Sequence, residues 1–82
     1  MFYKVKTVRP LANYELLVIF ENGEQKKYPI YPLFDKWKTF QSLATIDGLF
    51  EQAKVDKGGY GISWNDELDL SCNELYFNGV YS

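Results

Sequence analysis

The chain has 82 residues and a net charge of −2, so we expect residues 1–82 to form a single domain. Its one cysteine, Cys72, excludes a disulfide framework, and the absence of histidine removes the usual general base and the commonest metal ligand, so we expect no catalytic residue, metal or other cofactor. Because no apolar run approaches the roughly 20 residues of a membrane span, and residues 1–6 alternate apolar with charged side chains, we expect a cytoplasmic protein with neither membrane contact nor a signal peptide.

Two strands are predicted near the beginning of the chain. Alternation predicts the first from Phe2 to Val8, and we expect Pro10 to end it because proline cannot donate to a sheet ladder. Residues 14–20 form the clearest strand, one face of which carries Tyr14, Leu16, Val18 and Phe20.

The opposite face of the second strand is apolar as well. It carries Leu17 and Ile19, and Phe2 and Val8 are expected on the equivalent face of the first strand. A strand that is apolar on both faces is either covered on both sides or part of an interface. We therefore identify Phe2, Leu17 and Ile19 as a candidate interaction face, and we expect a two-fold homodimer to bury it. The alternative is that a short helix or the Trp37 segment covers part of this face.

Asn22-Gly23 is a strong signal for a hairpin turn, and two registers compete. A two-residue turn would pair Leu17 with Tyr28 and divide the apolar residues between two faces. A three-residue loop with Gly23 in the left-handed conformation would pair Leu16 with Tyr28 and gather them on one face. We choose the three-residue loop.

The third strand is predicted from Gln25 to Ile30, with Pro29 at an edge or a strand end. Residues 31–43 are expected to form a loop with a short helical turn, followed by a short helix capped by Thr45. A second hairpin is expected around Lys57-Gly58-Gly59, between strands 53–56 and 60–64. The acidic segment 65–69 is interpreted as a solvated turn.

Ser71 and Glu74 have the spacing of a capping box, which predicts a last short helix that Gly79 ends. The predicted fold class is therefore α+β: a three-stranded antiparallel meander, a helical connection, a second β-hairpin and a short C-terminal helix.

The aromatic and basic residues suggest two kinds of ligand site beside a purely structural role. Trp37 and Trp64 are candidates for an aromatic pocket that binds a small molecule. Lysines of the first and third strands, together with nearby tyrosines, are candidates for a basic aromatic face that binds nucleic acid: Lys4, Lys6, Lys26, Lys27, Tyr3, Tyr14 and Tyr28. The pI of about 5.0 and the single arginine disfavour nucleic acid.

Charge divides unevenly along the chain. Residues 1–40 carry seven basic and four acidic side chains, a net charge of +3, whereas residues 41–82 carry two basic and seven acidic side chains, a net charge of −5. Either half is a candidate surface for a charged partner, and solvated faces of opposite sign are the simpler explanation.

Short motifs along most of the chain together resemble the bacterial domain of unknown function 2442. The resemblance runs from about Lys4 to Tyr76 and rests on these residues: Leu16, Val18, Phe20, Asn22-Gly23-Glu24, Tyr28, Ile30, Phe40, Leu43, Leu49-Phe50, Val55-Asp56, Ile62, Trp64, Asp69-Leu70-Ser71 and Leu75-Tyr76. Asn22 departs from the aspartate of most members, and Asn65-Asp66-Glu67 from a segment that often holds proline and glycine.

The resemblance implies the same meander, helical connection, hairpin and closing helix. It implies no established activity, and hence no functional residues to carry over, although some relatives carry a helix-turn-helix domain and others lie among toxin–antitoxin-like genes. The expected function is a non-enzymatic protein-interaction or regulatory accessory module, antitoxin-like or from a bacterial mobile region. The alternatives are a nucleic-acid-binding regulator and a small-molecule-binding domain.

Overall fold

Two antiparallel sheets and three short helices build the protein, and a computed structural model describes all residues, Met1–Ser82. The strands are β1 (Val5–Leu11), β2 (Glu15–Phe20), β3 (Gln25–Pro29), β4 (Lys54–Val55), β5 (Gly61–Ser63), β6 (Asp69–Ser71) and β7 (Val80–Tyr81). The helices are α1 (Tyr31–Lys36), α2 (Ser42–Thr45) and α3 (Cys72–Asn78), and 3-10 turns occupy Lys38–Gln41, Phe50–Gln52 and Lys57–Gly59. The α+β class predicted from the sequence is confirmed.

The larger sheet has four strands in the order β1-β2-β3-β7. Leu16 lies opposite Tyr28, and Gly23 has a φ of 90°, so the three-residue loop and its register are confirmed. Glycine is needed at this position because a side chain strains the backbone at positive φ. This register places Leu16, Val18 and Phe20 in the core, each without exposed surface.

The first strand differs from its prediction. It begins at Val5 and continues through Pro10, which lies opposite Leu16. Proline is tolerated there because β1 is an edge strand of its sheet. The register shifts between Val5 and Thr7, a β-bulge that turns Val8 toward the core and away from the face on which we expected it.

Tyr14 also differs from its prediction, since it lies in the β1–β2 turn and not in β2. Its φ is 56°, next to Asn13 at 63°, and its ring packs edge-on against Phe34 and Phe50. Its carbonyl accepts the amide of Ile30 at 2.8 Å. Packing and this bond hold a left-handed tyrosine that alternation alone assigned to a strand.

The helical connection contains two short helices where a loop with one helical turn was predicted, and it lacks the helix that was predicted to follow. Residues 31–45 form α1, a 3-10 turn and α2, and Pro32 lies in the first turn of α1. The predicted helix beginning at Thr45 is wrong: Thr45 ends α2, and Ile46 is extended with ψ 113°. Phe50 nevertheless reaches the core from a 3-10 turn, so the apolar spacing reflected burial rather than a helix.

The second hairpin is present as β4 and β5, and it gains a third strand that the sequence analysis did not predict. Strand β6 pairs with β5, so that Ile62 lies opposite Leu70 and Ser63 opposite Asp69. Asp69 thus belongs to a strand, whereas residues 65–68 form the expected turn, in which Asn65 Oδ1 accepts the amides of Glu67 and Leu68 at 2.9 Å.

Helix α3 begins as predicted and is followed by a strand that was not predicted. Ser71 Oγ accepts the Glu74 amide at 3.1 Å, but the Glu74 carboxylate accepts the Tyr28 hydroxyl at 2.7 Å, so only half of the capping box forms. Gly79 ends the helix, where a Cβ atom would lie 2.6 Å from the Leu75 carbonyl oxygen. Strand β7 then pairs with β3 at Lys26 and Lys27.

One cluster of 16 buried hydrophobic residues joins both sheets and all three helices. The buried residues of the helices, among them Leu33, Leu43 and Leu75, all pack into it. The helices therefore lie on the same side of the larger sheet as Leu16 and Val18, which leaves its other side without a helix.

Candidate interaction surface

The side of the larger sheet that faces away from the core is here named the outer face. Cross-strand pairs share a face, so the register defines two central rows on it: Thr7, Ile19 and Gln25 in one, and Arg9, Leu17, Lys27 and Val80 in the other. A shorter end row holds Leu11, Glu15 and Pro29.

The outer face has an apolar centre with a basic surround. Leu17 and Ile19 are half-buried by neighbouring side chains, yet they are not among the hydrophobic residues that pack against the core cluster. Arg9 and Lys27 are exposed on either side of Leu17, and Glu15 is the one acidic residue of the paired rows. The face therefore carries a net positive charge in a protein whose total charge is −2.

A groove runs across the outer face between β1 and β2. Its volume is about 470 Å³, and it is lined by Thr7, Val8, Arg9, Leu17, Ile19 and Gln25. Apolar residues and the arginine thus line the same concavity. Such a groove suits an apolar side chain with an acidic neighbour.

Phe2, the third residue of the predicted interaction face, lies elsewhere. It precedes β1 and packs edge-on against Tyr60, with ring centroids 5.3 Å apart, and Lys4 Nζ lies 5.0 Å from the same tyrosine ring. Phe2 is 63% exposed and lines a second groove with residues of the β2–β3 turn. The structure therefore brings together Leu17 and Ile19 but not Phe2.

Trp37 and Trp64 do not enclose a common pocket. Each packs against Phe40, with ring centroids 5.6 and 6.2 Å apart respectively. Trp64 is only 4% exposed, and its indole N–H donates to the Phe50 carbonyl at 3.0 Å. Trp37 is 43% exposed and lies beneath Lys36. Trp64 is thus a core residue, and Trp37 is a surface residue on the other side of Phe40.

The residues of the predicted basic aromatic face are distributed over different surroundings. Tyr28 is buried on the core side, Tyr14 packs on Phe34 and Phe50, and Tyr3 stacks on Tyr76 at 3.7 Å. Lys27 is on the outer face, whereas Lys26 is on the core side. No single open sheet face therefore presents these lysines and tyrosines together.

Lys26 lies in a cage of aromatic rings. Its ammonium is 3.9 Å from the Tyr76 ring centroid and 4.4 Å from that of Tyr81, and it donates to the Tyr76 carbonyl. Glu24 accepts the hydroxyls of both tyrosines, that of Tyr81 at 2.8 Å. These bonds, first that from Tyr76, hold the pKa of the Glu24 carboxyl below 4.5, and they raise the pKa of Tyr76 above 10.0. The cage fastens β7 and α3 to β3.

A third groove, on the smaller sheet, is acidic and polar. Its volume is about 450 Å³, and it is lined by Lys54, Asp56, Ser63, Trp64, Asn65, Asp66 and Asp69. Asp56 accepts the hydroxyl of Ser63 at 2.6 Å. No three histidine, cysteine or carboxylate side chains of the protein are grouped so that they could hold a metal ion.

Two residues of the outer face were missed by sequence reasoning. Simple alternation along the first strand places Thr7 on the same side as Tyr3 and Val5, and Arg9 was not assigned to a face. The bulge at Lys6 reverses the alternation and turns Thr7 and Arg9 outward. The signal that the sequence did offer is that Arg9 is the single arginine of the chain.

Comparison with known proteins decides the family. The family model described as "Protein of unknown function (DUF2442)" matches residues 5–81. The chain belongs to the DUF2442 family. The match covers nearly the whole of this DUF2442 chain, including every strand of the two sheets and all three helices.

The comparison of the DUF2442 chain with curated proteins and that with solved structures gave no match. None of its helices has the length and apolar character that a transmembrane span requires.

Proposed function

We propose that the chain is a non-enzymatic protein-interaction module that binds an acidic segment of a different protein on the outer face. The observation that carries this proposal is the placement of Leu17 and Ile19, which are apolar, half-buried and outside the core cluster, between exposed Arg9 and Lys27. An apolar centre with a charged surround is the usual anatomy of a small interface.

The edges of the larger sheet are poorly suited to binding by strand addition, which supports the face as the docking surface. The backbone of β1 is interrupted by the bulge at Lys6, and Pro10 lacks an amide hydrogen. At the other edge, β7 has only two residues. A partner strand would find few consecutive backbone groups to pair with on either side.

Charge and area favour a different chain over a second copy. A two-fold pairing centred on Leu17 would bring Arg9 and Lys27 close to the same residues of its copy. The face has four strands about 4.8 Å apart and a paired length of about five residues that rise about 3.4 Å each, so its flat footprint is on the order of 300 Å². That is small for a stable dimer, in which each partner buries roughly 800 Å² of accessible surface. A short acidic segment matches both properties, and the two-fold dimer predicted from the sequence stays a prediction.

The test is a selection of random 12-residue peptides displayed on phage against the purified protein. We expect enrichment of peptides that combine Asp or Glu with one large apolar residue, and NMR amide shifts on binding at Leu17 and Ile19. Leu17→Lys should abolish binding, because it removes the apolar centre against which the apolar residue of the peptide packs. The added positive charge would by itself favour an acidic peptide, so a loss of binding reports the apolar contact. Ile46→Lys is the matched control, since Ile46 is an apolar surface residue of the helical connection, away from the outer face.

Three outcomes would overturn the proposal. They are enrichment of no peptide, binding shifts outside the outer face, and equal loss of binding in the two lysine variants. A parallel titration with single-stranded and duplex oligonucleotides tests the nucleic-acid alternative. A complex stronger than micromolar that maps to the outer face at physiological salt would replace the protein partner with nucleic acid.

Other parts of the proposal follow from composition and family. The lack of histidine supports a non-enzymatic role, and one buried cysteine is compatible with the reducing cytoplasm, which we propose as its location. An antitoxin-like or mobile-element role is a narrower form of the same proposal, which adjacent toxin-like genes would support.

A further inference from the structure

The groove of the outer face holds the only arginine of the chain, and its position depends on a local irregularity of the backbone. Arg9 lines the groove together with Thr7 from the same strand. Both residues face outward because the register shifts between Val5 and Thr7. Without that bulge, the alternation from Val5 would place Val8 outward and turn Thr7 and Arg9 toward the core.

We infer that Arg9 is the specificity-determining residue of the docking surface, and that it binds a carboxylate next to an apolar side chain that fills the groove. This inference rests on the proposed function and names the pair of groups that the partner must present. Leu17 and Ile19 supply apolar walls of the groove, and Arg9 is among the residues that line it.

The choice of Arg9 over Lys27 follows from geometry and chemistry. Lys27 lies in the same row, on the opposite side of Leu17, and it does not line the groove. A guanidinium offers a planar fork that binds a carboxylate through two parallel hydrogen bonds, whereas an ammonium acts as a point charge. A carboxylate beside the apolar anchor would therefore be recognised by its shape as well as by its charge.

The bulge supports the inference independently of charge. Bulges interrupt the pairing of a sheet, and they occur often where a side chain must be re-aimed. Here the interruption moves an arginine to the surface and leaves Val5 and Val8 on the core side.

The experiment uses the acidic peptide selected above and a reciprocal pair of variants, Arg9→Lys and Lys27→Arg, that leave the net charge unchanged. Loss of one of two charge-assisted hydrogen bonds should weaken binding about tenfold in Arg9→Lys. Lys27→Arg should leave the dissociation constant within about twofold. Replacing the peptide carboxylate with its amide should weaken binding to the native protein more than binding to Arg9→Lys, in which one of the two charge-assisted hydrogen bonds is already absent.

Equal dissociation constants for the two reciprocal variants would overturn the role of Arg9 and leave the proposed function intact, because neither cation would then be preferred in the recognition of the carboxylate. An amide peptide that loses as much affinity for Arg9→Lys as for the native protein would overturn it as well. Failure of the selection to yield any peptide that maps to the outer face would instead remove the proposed function itself. Thermal unfolding of each variant checks that Arg9→Lys is folded.

Discussion

The hydroxyl of Ser71 satisfies one amide at the beginning of α3, since it accepts the Glu74 N–H at 3.1 Å. Ser71→Ala should lower the free energy of unfolding by about 1 kcal/mol, because that amide then lacks its partner. The urea midpoint at neutral pH measures the change. Thr39→Ala, at an exposed hydroxyl, is the control and should leave the midpoint unaltered; a midpoint that moves equally in both variants contradicts the cap.

The hydroxyl of buried Tyr28 makes the free energy of unfolding depend on pH in the alkaline range. Burial, followed by the hydrogen bond to Glu74, raises the pKa of Tyr28 above its usual 10.0. Below about pH 10 the folded and unfolded states both keep the proton. As the pH rises further, the unfolded state releases it first, so the free energy of unfolding should fall.

Tyr28→Phe should make this alkaline loss of stability shallower, and it should lower the free energy of unfolding at neutral pH by about 1 kcal/mol through the lost hydrogen bond. Urea midpoints between about pH 8 and 11 measure both effects. Exposed Tyr31→Phe serves as control. If the native protein and Tyr28→Phe lost stability in parallel above pH 10, Tyr28 would not be a source of the pH dependence.

At the scale of single elements, β1 is built so that another strand cannot readily pair with its free edge. Its pairing with β2 uses alternate residues, which leaves the backbone of Val8 and Pro10 directed outward, and proline has no N–H to offer. Pro10→Thr restores a donor at this edge. We expect greater light scattering at high protein concentration, with the free energy of unfolding changed by less than about 1 kcal/mol.

Pro32→Thr is the control for this substitution, since Pro32 lies at the beginning of α1 and outside any sheet edge. Scattering that is the same in both variants at every concentration would show that Pro10 does not protect the edge.

The elements that could be predicted are those in which local and long-range signals agree. The β2–β3 hairpin was correct because Asn22-Gly23 and the apolar residues Leu16 and Tyr28 favour one register. The two residues of β7 carry no periodic signal, and they form a strand only because Gly79 returns the chain beside Lys26. The bulge could not be predicted either, because it is defined by the pairing with the partner strand. The outward position of Arg9 depends on the bulge and was missed for the same reason.

The same contrast applies to the candidate site. Leu17 and Ile19 were recognised because a second apolar face on one strand is unusual. Phe2 was predicted on this face because the predicted strand begins three residues before β1 does. Trp64 was predicted to line a ligand pocket, but it is buried against Phe40 and Phe50. Side chains brought together by tertiary packing leave no spacing in the sequence.

At the scale of the whole molecule, the structure shows where charged residues of the two halves of the chain lie. The outer face carries Arg9 and Lys27, whereas the groove of the smaller sheet is lined by Asp56, Asp66 and Asp69. These basic and acidic residues thus lie at different sheets of one molecule. The attraction of an acidic partner to the outer face is therefore local, and we expect it to weaken as the ionic strength rises.

Sedimentation equilibrium tests the size of the free protein. Because the outer face is small and basic, we expect a single species of 9.6 kDa at high micromolar concentration. A species of twice that mass which Leu17→Lys dissociates, and Ile46→Lys does not, would assign the outer face to a second copy. That result would replace the acidic partner with the two-fold dimer.

The aromatic cage around Lys26 makes one amine of the protein chemically distinct. The side chain is 6% exposed, and its ammonium lies against the rings of Tyr76 and Tyr81, so an acylating reagent should modify the other lysines first. Acylation requires a free, accessible amine, and Lys26 can offer one only while β7 is detached from β3. The rate at which Lys26 is labelled, followed by peptide mass spectrometry, should therefore report how often the C-terminal segment opens. Labelling as fast as at exposed Lys27 would show that the segment is open most of the time.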